Sequence, residues 1–164
     1  MKIVNGTIEK GKLLYSMEMS LLLVAVASAS KKIASSLITA TFKASRTKQP
    51  ELKKRLPVLP SRFLQRPLSG RIYTNYPLSV LVEIPVERIT YVGELAWIIA
   101  KAYQKIYREE DKTSSIKAGK AKPGMYNRNK TNGTYGIWGH DFKDLYLEHI
   151  SIYDNGNIII GIGS

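Results

Sequence analysis

A tight-turn signal near the end of the chain is the feature that most limits its fold. The stretch SIYDNGNIII, residues 151–160, places an Asn-Gly pair between two runs of β-branched and aromatic residues. Asn-Gly readily takes the positive φ angles of a two-residue hairpin turn. The pattern therefore predicts a β-hairpin in which strand 146–153 pairs with strand 158–163.

The most apolar part of the chain predicts a helix instead. Residues 13–44 contain neither Gly nor Pro and are rich in Ala, Leu and Met, which are good helix formers. In their second half the apolar residues recur at steps of three and four, which forms one stripe on a helix. We expect one long helix over 13–44. The alternative interpretation makes residues 13–27 a pair of strands, 13–15 and 21–26.

A second helix is predicted after a short strand. Residues 78–84, LSVLVEI, form a β-branched run between Pro77 and Pro85, which is typical of a strand. Proline suits the first turn of a helix, so Pro85 would begin the next element. Apolar residues then recur at helical spacing, and we expect a single helix over 86–109.

These elements predict one α+β domain over residues 1–164. Two long apolar helices would pack on a small, mainly antiparallel sheet that contains the C-terminal hairpin. Hydrophobic residues make up 44% of the chain and charged residues 23%, which is typical of a soluble globular protein. Five prolines predict an irregular, basic arm over 45–77. Residues 110–134 are polar, basic and rich in Gly and Asn, and predict a flexible loop.

The charge is strongly positive and clustered. Net charge is +12, with nine basic residues and one acid in 43–71 and six basic residues in 112–130. Such clusters favour polyanions, and interleaved aromatic rings can stack on bases. The leading hypothesis is a basic module that binds DNA or RNA. Its predicted contacts are Arg62, Arg66, Arg71, Lys120, Lys122, Tyr126, Arg128 and Lys130. The alternatives are a domain that binds an acidic protein and a charged surface that only contacts solvent.

An enzyme is the second hypothesis, and it depends on the stretch 132–149, which holds both histidines of the chain. Gly136 and Gly139 allow a sharp bend whose backbone amides could hold an anion. His140 would act as acid or base, with Asp141 or Asp144 as its partner. The substrate would be phosphorylated or a nucleic acid, because basic side chains from the loop could stabilise negative charge.

The same stretch also has a purely structural interpretation. Asp141 would cap a turn by accepting backbone N–H groups. Tyr135, Ile137 and Trp138 would belong to the core, and His149 would be a strand residue on a partly exposed face. The residues alone do not decide whether the chain is an enzyme.

Several function classes are not indicated. The chain has no cysteine, which excludes disulfides and cysteine-ligated metals. The histidine spacing matches no metal motif, and Gly161-Ile-Gly163 is not followed by the helix that a dinucleotide site needs, so we predict neither metal nor cofactor. Residues 20–32 resemble a secretion signal, but two glutamates precede them. We expect a buried helix there, no transmembrane segment and a cytoplasmic location.

Overall fold

A six-stranded mixed sheet with two helices forms the described part of the molecule. The computed structural model describes residues 1–30, 67–89, 92–119 and 129–164. The elements are β1 (Lys2–Val4), β2 (Leu13–Leu22), α1 (Leu23–Ser28), β3 (Leu68–Thr74), β4 (Leu81–Ile89), α2 (Val92–Thr113), β5 (Tyr146–Tyr153) and β6 (Asn157–Gly163). A 3-10 turn at Phe142–Asp144 precedes β5. The sheet order is β1-β4-β3-β6-β5-β2.

The predicted C-terminal hairpin and the α+β class are confirmed, but the predicted architecture of two long helices on a small sheet is wrong. β5 and β6 pair antiparallel from Tyr146↔Gly163 to Ile152↔Ile158. The sheet has six strands and is mixed: β3 and β6 run parallel, whereas the other four pairings are antiparallel, as predicted for most of the sheet. Only α2 is a substantial helix within the described residues, so two long helices do not cover the sheet.

The predicted helix over 13–44 is wrong for most of its described residues, 13–30. Residues Leu13–Leu22 form a strand at the sheet edge, and only Leu23–Ser28 are helical. Met17 lies opposite Ile150 and Leu21 opposite Leu147, so β5 supplies partners for the apolar side chains of this strand. Packing against such a partner overrides helix propensity. The rest of the predicted helix, 31–44, lies outside the described residues.

The second predicted helix is displaced along the chain. β4 continues through Pro85 to Ile89, and α2 runs from Val92 to Thr113 rather than over 86–109. Strand β1 pairs only with residues 81–83 of β4. Pro85 therefore lies where one side of β4 is a sheet edge, the position at which strands accept proline.

The predicted irregular arm contains a central strand in its described part. β3 lies between β4 and β6, with Ile72 opposite both Ile84 and Ile158. Pro67 and Pro77 flank this strand rather than interrupt it, and residues 45–66 lie outside the described part. The predicted loop 110–134 likewise begins inside α2, which ends at Thr113, and its residues 120–128 are not described.

The core lies between the sheet and the helices. Alternate strand residues face α2, because side chains of a strand point to opposite faces in turn. The fully buried side chains include Ile72, Val82, Ile99, Tyr103, Ile106, Leu147, Ile150, Ile152 and Ile158. Within 1–30, 67–89, 92–119 and 129–164, neither helix has the length and apolar character needed to cross a membrane.

Candidate functional site

Aromatic side chains are exposed at the end of the sheet where β3 and β6 finish and β5 begins. Tyr76 is 39% exposed, Trp138 57% and Tyr146 40%. The loop 129–141 crosses this end, since Trp138 N donates to Pro77 O over 2.8 Å. We call this surface the aromatic edge and define it by Tyr76, Lys130, Trp138, His140 and Tyr146.

A buried carboxylate on α2 holds the first half of the loop. Glu110 is 1% exposed. It accepts hydrogen bonds from the backbone N of Gly133 at 3.0 Å, Tyr135 at 2.7 Å and Gly136 at 3.1 Å, and from the Thr131 hydroxyl. The backbone amides of this glycine-rich stretch therefore bind the Glu110 carboxylate. These hydrogen bonds attach the loop to α2.

The second half of the loop turns Trp138 towards solvent. Lys130 and Trp138 form an isolated antiparallel bridge, and the Lys130 ammonium lies 5.4 Å from the centroid of the Trp138 ring. Tyr135 and Ile137 are buried as predicted, but the prediction that Trp138 belongs to the core is wrong. Ile137 points inwards in extended chain, so its neighbour points outwards.

The His140 side chain contacts a tyrosine that is distant in sequence. His140 Nε2 lies 3.0 Å from Tyr76 Oη, and the two ring centroids are 5.6 Å apart. The Tyr76 hydroxyl also lies 3.0 Å from Ser164 Oγ, which is 3.5 Å from His140 Nε2. A half-buried imidazole and an exposed phenol can exchange a proton at this distance.

The backbone of His140 is held from two directions. Its carbonyl accepts a 3.0 Å hydrogen bond from the Tyr107 hydroxyl, and its N–H donates to Trp138 O over 2.6 Å. Burial, followed by nearby tyrosine and aspartate charges, raises the pKa of Tyr107 far above its usual value, so the hydroxyl stays a donor. Gly139 takes the positive φ of 54° that the bend requires.

The predicted partners of His140 contact the turn that follows it. Asp141 accepts a hydrogen bond from Lys143 N, and Asp144 accepts one from Asp141 N over 3.4 Å. The structural interpretation of Asp141 as a cap is thus confirmed. The catalytic roles of His140, Asp141 and Asp144 stay predictions. His149 lies half-buried in β5, as predicted for a strand residue on a partly exposed face.

Two of the eight predicted nucleic-acid contacts lie in the described part, and they are not together. Arg71 lies within β3 on the face opposite Ile72, where a hydrogen bond to Tyr73 and the charge of Glu83 raise its pKa. Lys130 lies at the aromatic edge. The other predicted contacts are outside the described residues: Arg62, Arg66, Lys120, Lys122, Tyr126 and Arg128.

The positive charge is concentrated outside the described fold. Residues 1–30, 67–89, 92–119 and 129–164 contain twelve basic and twelve acidic side chains. The remaining thirteen basic residues and Glu51 belong to 31–66 and 120–128. The excess of +12 therefore comes from 31–66 and 120–128, and the described residues that carry the aromatic edge are balanced in charge.

Sequence reasoning missed Tyr107, Glu110 and Ser164, and it did not pair Tyr76 with His140. No local signal could place Tyr76 beside His140, because 64 residues separate them. Glu110 did have a signal, since it continues the buried stripe of α2 after Tyr103 and Ile106. A carboxyl group in an apolar stripe needs a buried hydrogen-bonding partner.

No metal-binding group and no relative identify the site. Among the described residues, no three His, Asp or Glu side chains are placed to hold a metal ion. The chain matches no family model, no curated protein and no solved structure. Its function must therefore be inferred from the chemistry of the aromatic edge and from the charge of the sequence.

Proposed function

We propose that the protein binds single-stranded nucleic acid, with a base stacked at the aromatic edge and phosphates bound by lysine and arginine. The exposed Trp138 ring beside the Lys130 ammonium carries this proposal. A large aromatic ring is usually buried, and one that is 57% exposed is available to a flat ligand. A cation at 5.4 Å adds attraction for the phosphate that accompanies a base.

The rigidity of the aromatic edge supports binding. Trp138 is hydrogen-bonded to Pro77 through its backbone, and Glu110 holds the preceding residues. Tyr76 and His140 contribute two rings that contact each other on the same edge, with 5.6 Å between their centroids. Because this surface is already ordered, binding loses less conformational entropy than it would on a free loop. Stacking on one aromatic side chain contributes about 1–3 kcal/mol per base.

The position of the aromatic edge relative to the basic segments also supports the proposal. Residues 120–128 include Lys120, Lys122 and Arg128 in the sequence. The described residues on either side both adjoin the edge. Gly119 packs against Asp141, and the carbonyl of Asn129 accepts a hydrogen bond from Gly139 N. The described residues on either side of this basic segment, Gly119 and Asn129, therefore lie next to the proposed stacking surface.

Tryptophan fluorescence tests this proposal directly, because the chain has only two tryptophans. Trp97→Phe leaves Trp138 as the reporter, whereas Trp138→Phe leaves Trp97, which is half-buried and donates to Ala29 O. Titration with single-stranded DNA and RNA oligomers should quench the first variant and leave the second nearly unchanged. Absence of quenching in the Trp97→Phe variant at low salt contradicts the proposal.

The affinity of alanine variants measures the contribution of stacking. Trp138→Ala should weaken binding roughly 5- to 150-fold, which corresponds to the loss of one stacked base. The matched control is Tyr15→Ala, which removes an exposed aromatic side chain from β2, distant from the aromatic edge. Equal losses in the two variants would show that Trp138 has no special role.

An acidic protein is the competing partner, since the same charge would attract it. Nuclease treatment before a pull-down experiment separates the two interpretations. A partner protein that remains bound after nuclease treatment indicates direct binding of an acidic protein. A partner that is released was held through nucleic acid.

A further inference from the structure

We infer that His140 and Tyr76 form a catalytic pair that cleaves RNA, with a ribose 2′-hydroxyl of the bound strand as the nucleophile. This inference rests on the proposed function, because the RNA has to lie on the aromatic edge. It goes further in naming the substrate class, the bond that breaks and the two groups that move protons.

The position of the pair carries the inference. Imidazole is the only side chain that ordinarily exchanges protons near neutral pH, and His140 Nε2 lies 3.0 Å from the Tyr76 hydroxyl. His140 follows Trp138 by two residues, and its N–H donates to Trp138 O over 2.6 Å, which keeps the two residues in one tight bend. The sugar and phosphate of a base stacked on Trp138 would therefore lie beside a proton acceptor and a proton donor.

The reaction is an internal transesterification that needs no further reactant. His140 Nε2 takes the proton of the 2′-hydroxyl, and the 2′-oxygen attacks the adjacent phosphorus. The bond from phosphorus to the 5′-oxygen breaks, and Tyr76 gives its proton to that oxygen. The imidazolium then returns a proton to the Tyr76 phenolate across their contact. The products are a 2′,3′-cyclic phosphate and a 5′-hydroxyl end, with no net change in charge.

The surroundings hold His140 in place for this role. Tyr107 donates to its carbonyl, and the capped turn that starts at Asp141 fixes the chain after it. Tyr107 itself packs against Phe142, with 5.6 Å between ring centroids. A catalytic side chain whose backbone is held by such hydrogen bonds loses little conformational entropy in reaching its reactive position. Lys130, which lies on the same loop as His140, provides positive charge for the RNA phosphate.

Cleavage of a 5′-labelled RNA oligomer tests the role of His140. The wild-type protein should yield fragments that end in 2′,3′-cyclic phosphate and should leave the 2′-deoxy oligomer intact. His140→Ala should slow cleavage by roughly 10²- to 10⁴-fold, the usual contribution of a general base. His149→Ala, purified in the same way, is the matched control and should cleave at the wild-type rate. Equal rates in both variants overturn the assignment and indicate a contaminating nuclease.

A substrate with a good leaving group tests the role of Tyr76. Tyr76→Phe should slow cleavage of RNA, whose 5′-oxygen needs a proton to leave. It should leave unchanged the release of p-nitrophenolate from a uridine 3′-(p-nitrophenyl phosphate), which needs none. His140→Ala should slow both reactions. A merely structural Tyr76 would slow both reactions equally, and that result overturns its role as the acid.

Binding measured in parallel separates the two proposals. Quenching of Trp138 without cleavage by the wild-type protein overturns the catalytic pair and leaves the binding function in place. Neither quenching nor cleavage overturns both. His140→Ala should reduce cleavage far more than it reduces the affinity for RNA, and a loss of affinity equal to the loss of cleavage would make His140 a binding group only.

Discussion

Glu110 shows how a single residue organises the candidate site. Its carboxylate receives three backbone N–H groups and the Thr131 hydroxyl, although the side chain is 1% exposed. A buried carboxylate is tolerated only when its oxygens are hydrogen-bonded, and here the donors come from one loop. The loop thereby gains a fixed conformation, and Trp138 and His140 are presented from it.

Replacing the carboxylate by an amide should be costly. In Glu110→Gln the amide NH₂, itself a donor, would face backbone N–H groups that need an acceptor. We expect the free energy of unfolding to fall by about 3 kcal/mol, as for other broken buried polar contacts. Denaturant titration measures this, with Glu87→Gln on the exposed side of β4 as a control that should change little. An unchanged midpoint for Glu110→Gln would contradict the role of this residue.

The parallel pairing of β3 with β6 depends on a glycine. Arg71 N donates to Gly156 O over 3.1 Å. A Cβ added to Gly70 would lie 2.0 Å from that same oxygen, which is backbone and cannot swing away. A Cβ added to Gly161 would instead meet the His149 ring at 2.1 Å, and that side chain can rotate. The two glycines therefore differ in what an added methyl group displaces.

Alanine substitutions at the two positions test this difference. Gly70→Ala should lower the free energy of unfolding by about 3 kcal/mol, because the turn of the hairpin must move away from β3. Gly161→Ala should lower it by about 1 kcal/mol, since only a rotamer changes. Thermal unfolding of both variants gives the comparison, and the reverse order would refute the account of β3–β6 pairing.

At the scale of the whole molecule, the excess of positive charge belongs to segments other than the described residues. The described residues have equal numbers of basic and acidic side chains, and the excess belongs to 31–66 and 120–128. The proposed binding thus combines a framework of balanced charge that offers a stacking surface with segments that supply cations. The two contributions respond differently to salt, because only phosphate binding releases counterions.

Salt dependence should separate these contributions. Replacing the ten basic residues of 31–66 by glutamine should make the plot of log affinity against log salt shallower. On a single strand the slope should change by about 0.7 for each phosphate that the variant no longer neutralises. Trp138→Ala should lower the affinity at every salt concentration and keep the slope. Equal slopes for the wild type and the glutamine variant would contradict a role for this segment.

Local features of the chain were predictable. The Asn-Gly turn, the cap at Asp141 and the bends at Gly136 and Gly139 each depend on the preferred φ angles or hydrogen bonds of a few adjacent residues. The clustering of basic residues is also a property of the sequence alone. The strand at 13–22 was predicted as a helix, with strands over 13–15 and 21–26 only as the alternative, because its own residues favour a helix and only β5 makes a strand the better choice.

The sequence by itself determined the hairpin, the cap at Asp141 and the distribution of charge, since these need no distant partner. The tertiary structure alone decided that Trp138 faces solvent, that Glu110 holds the loop and that Tyr76 contacts His140. Each of these depends on groups brought together across more than twenty residues of chain. Such contacts form only when the sheet and α2 have packed, because burial of the shared core offsets the entropy lost in closing those long loops.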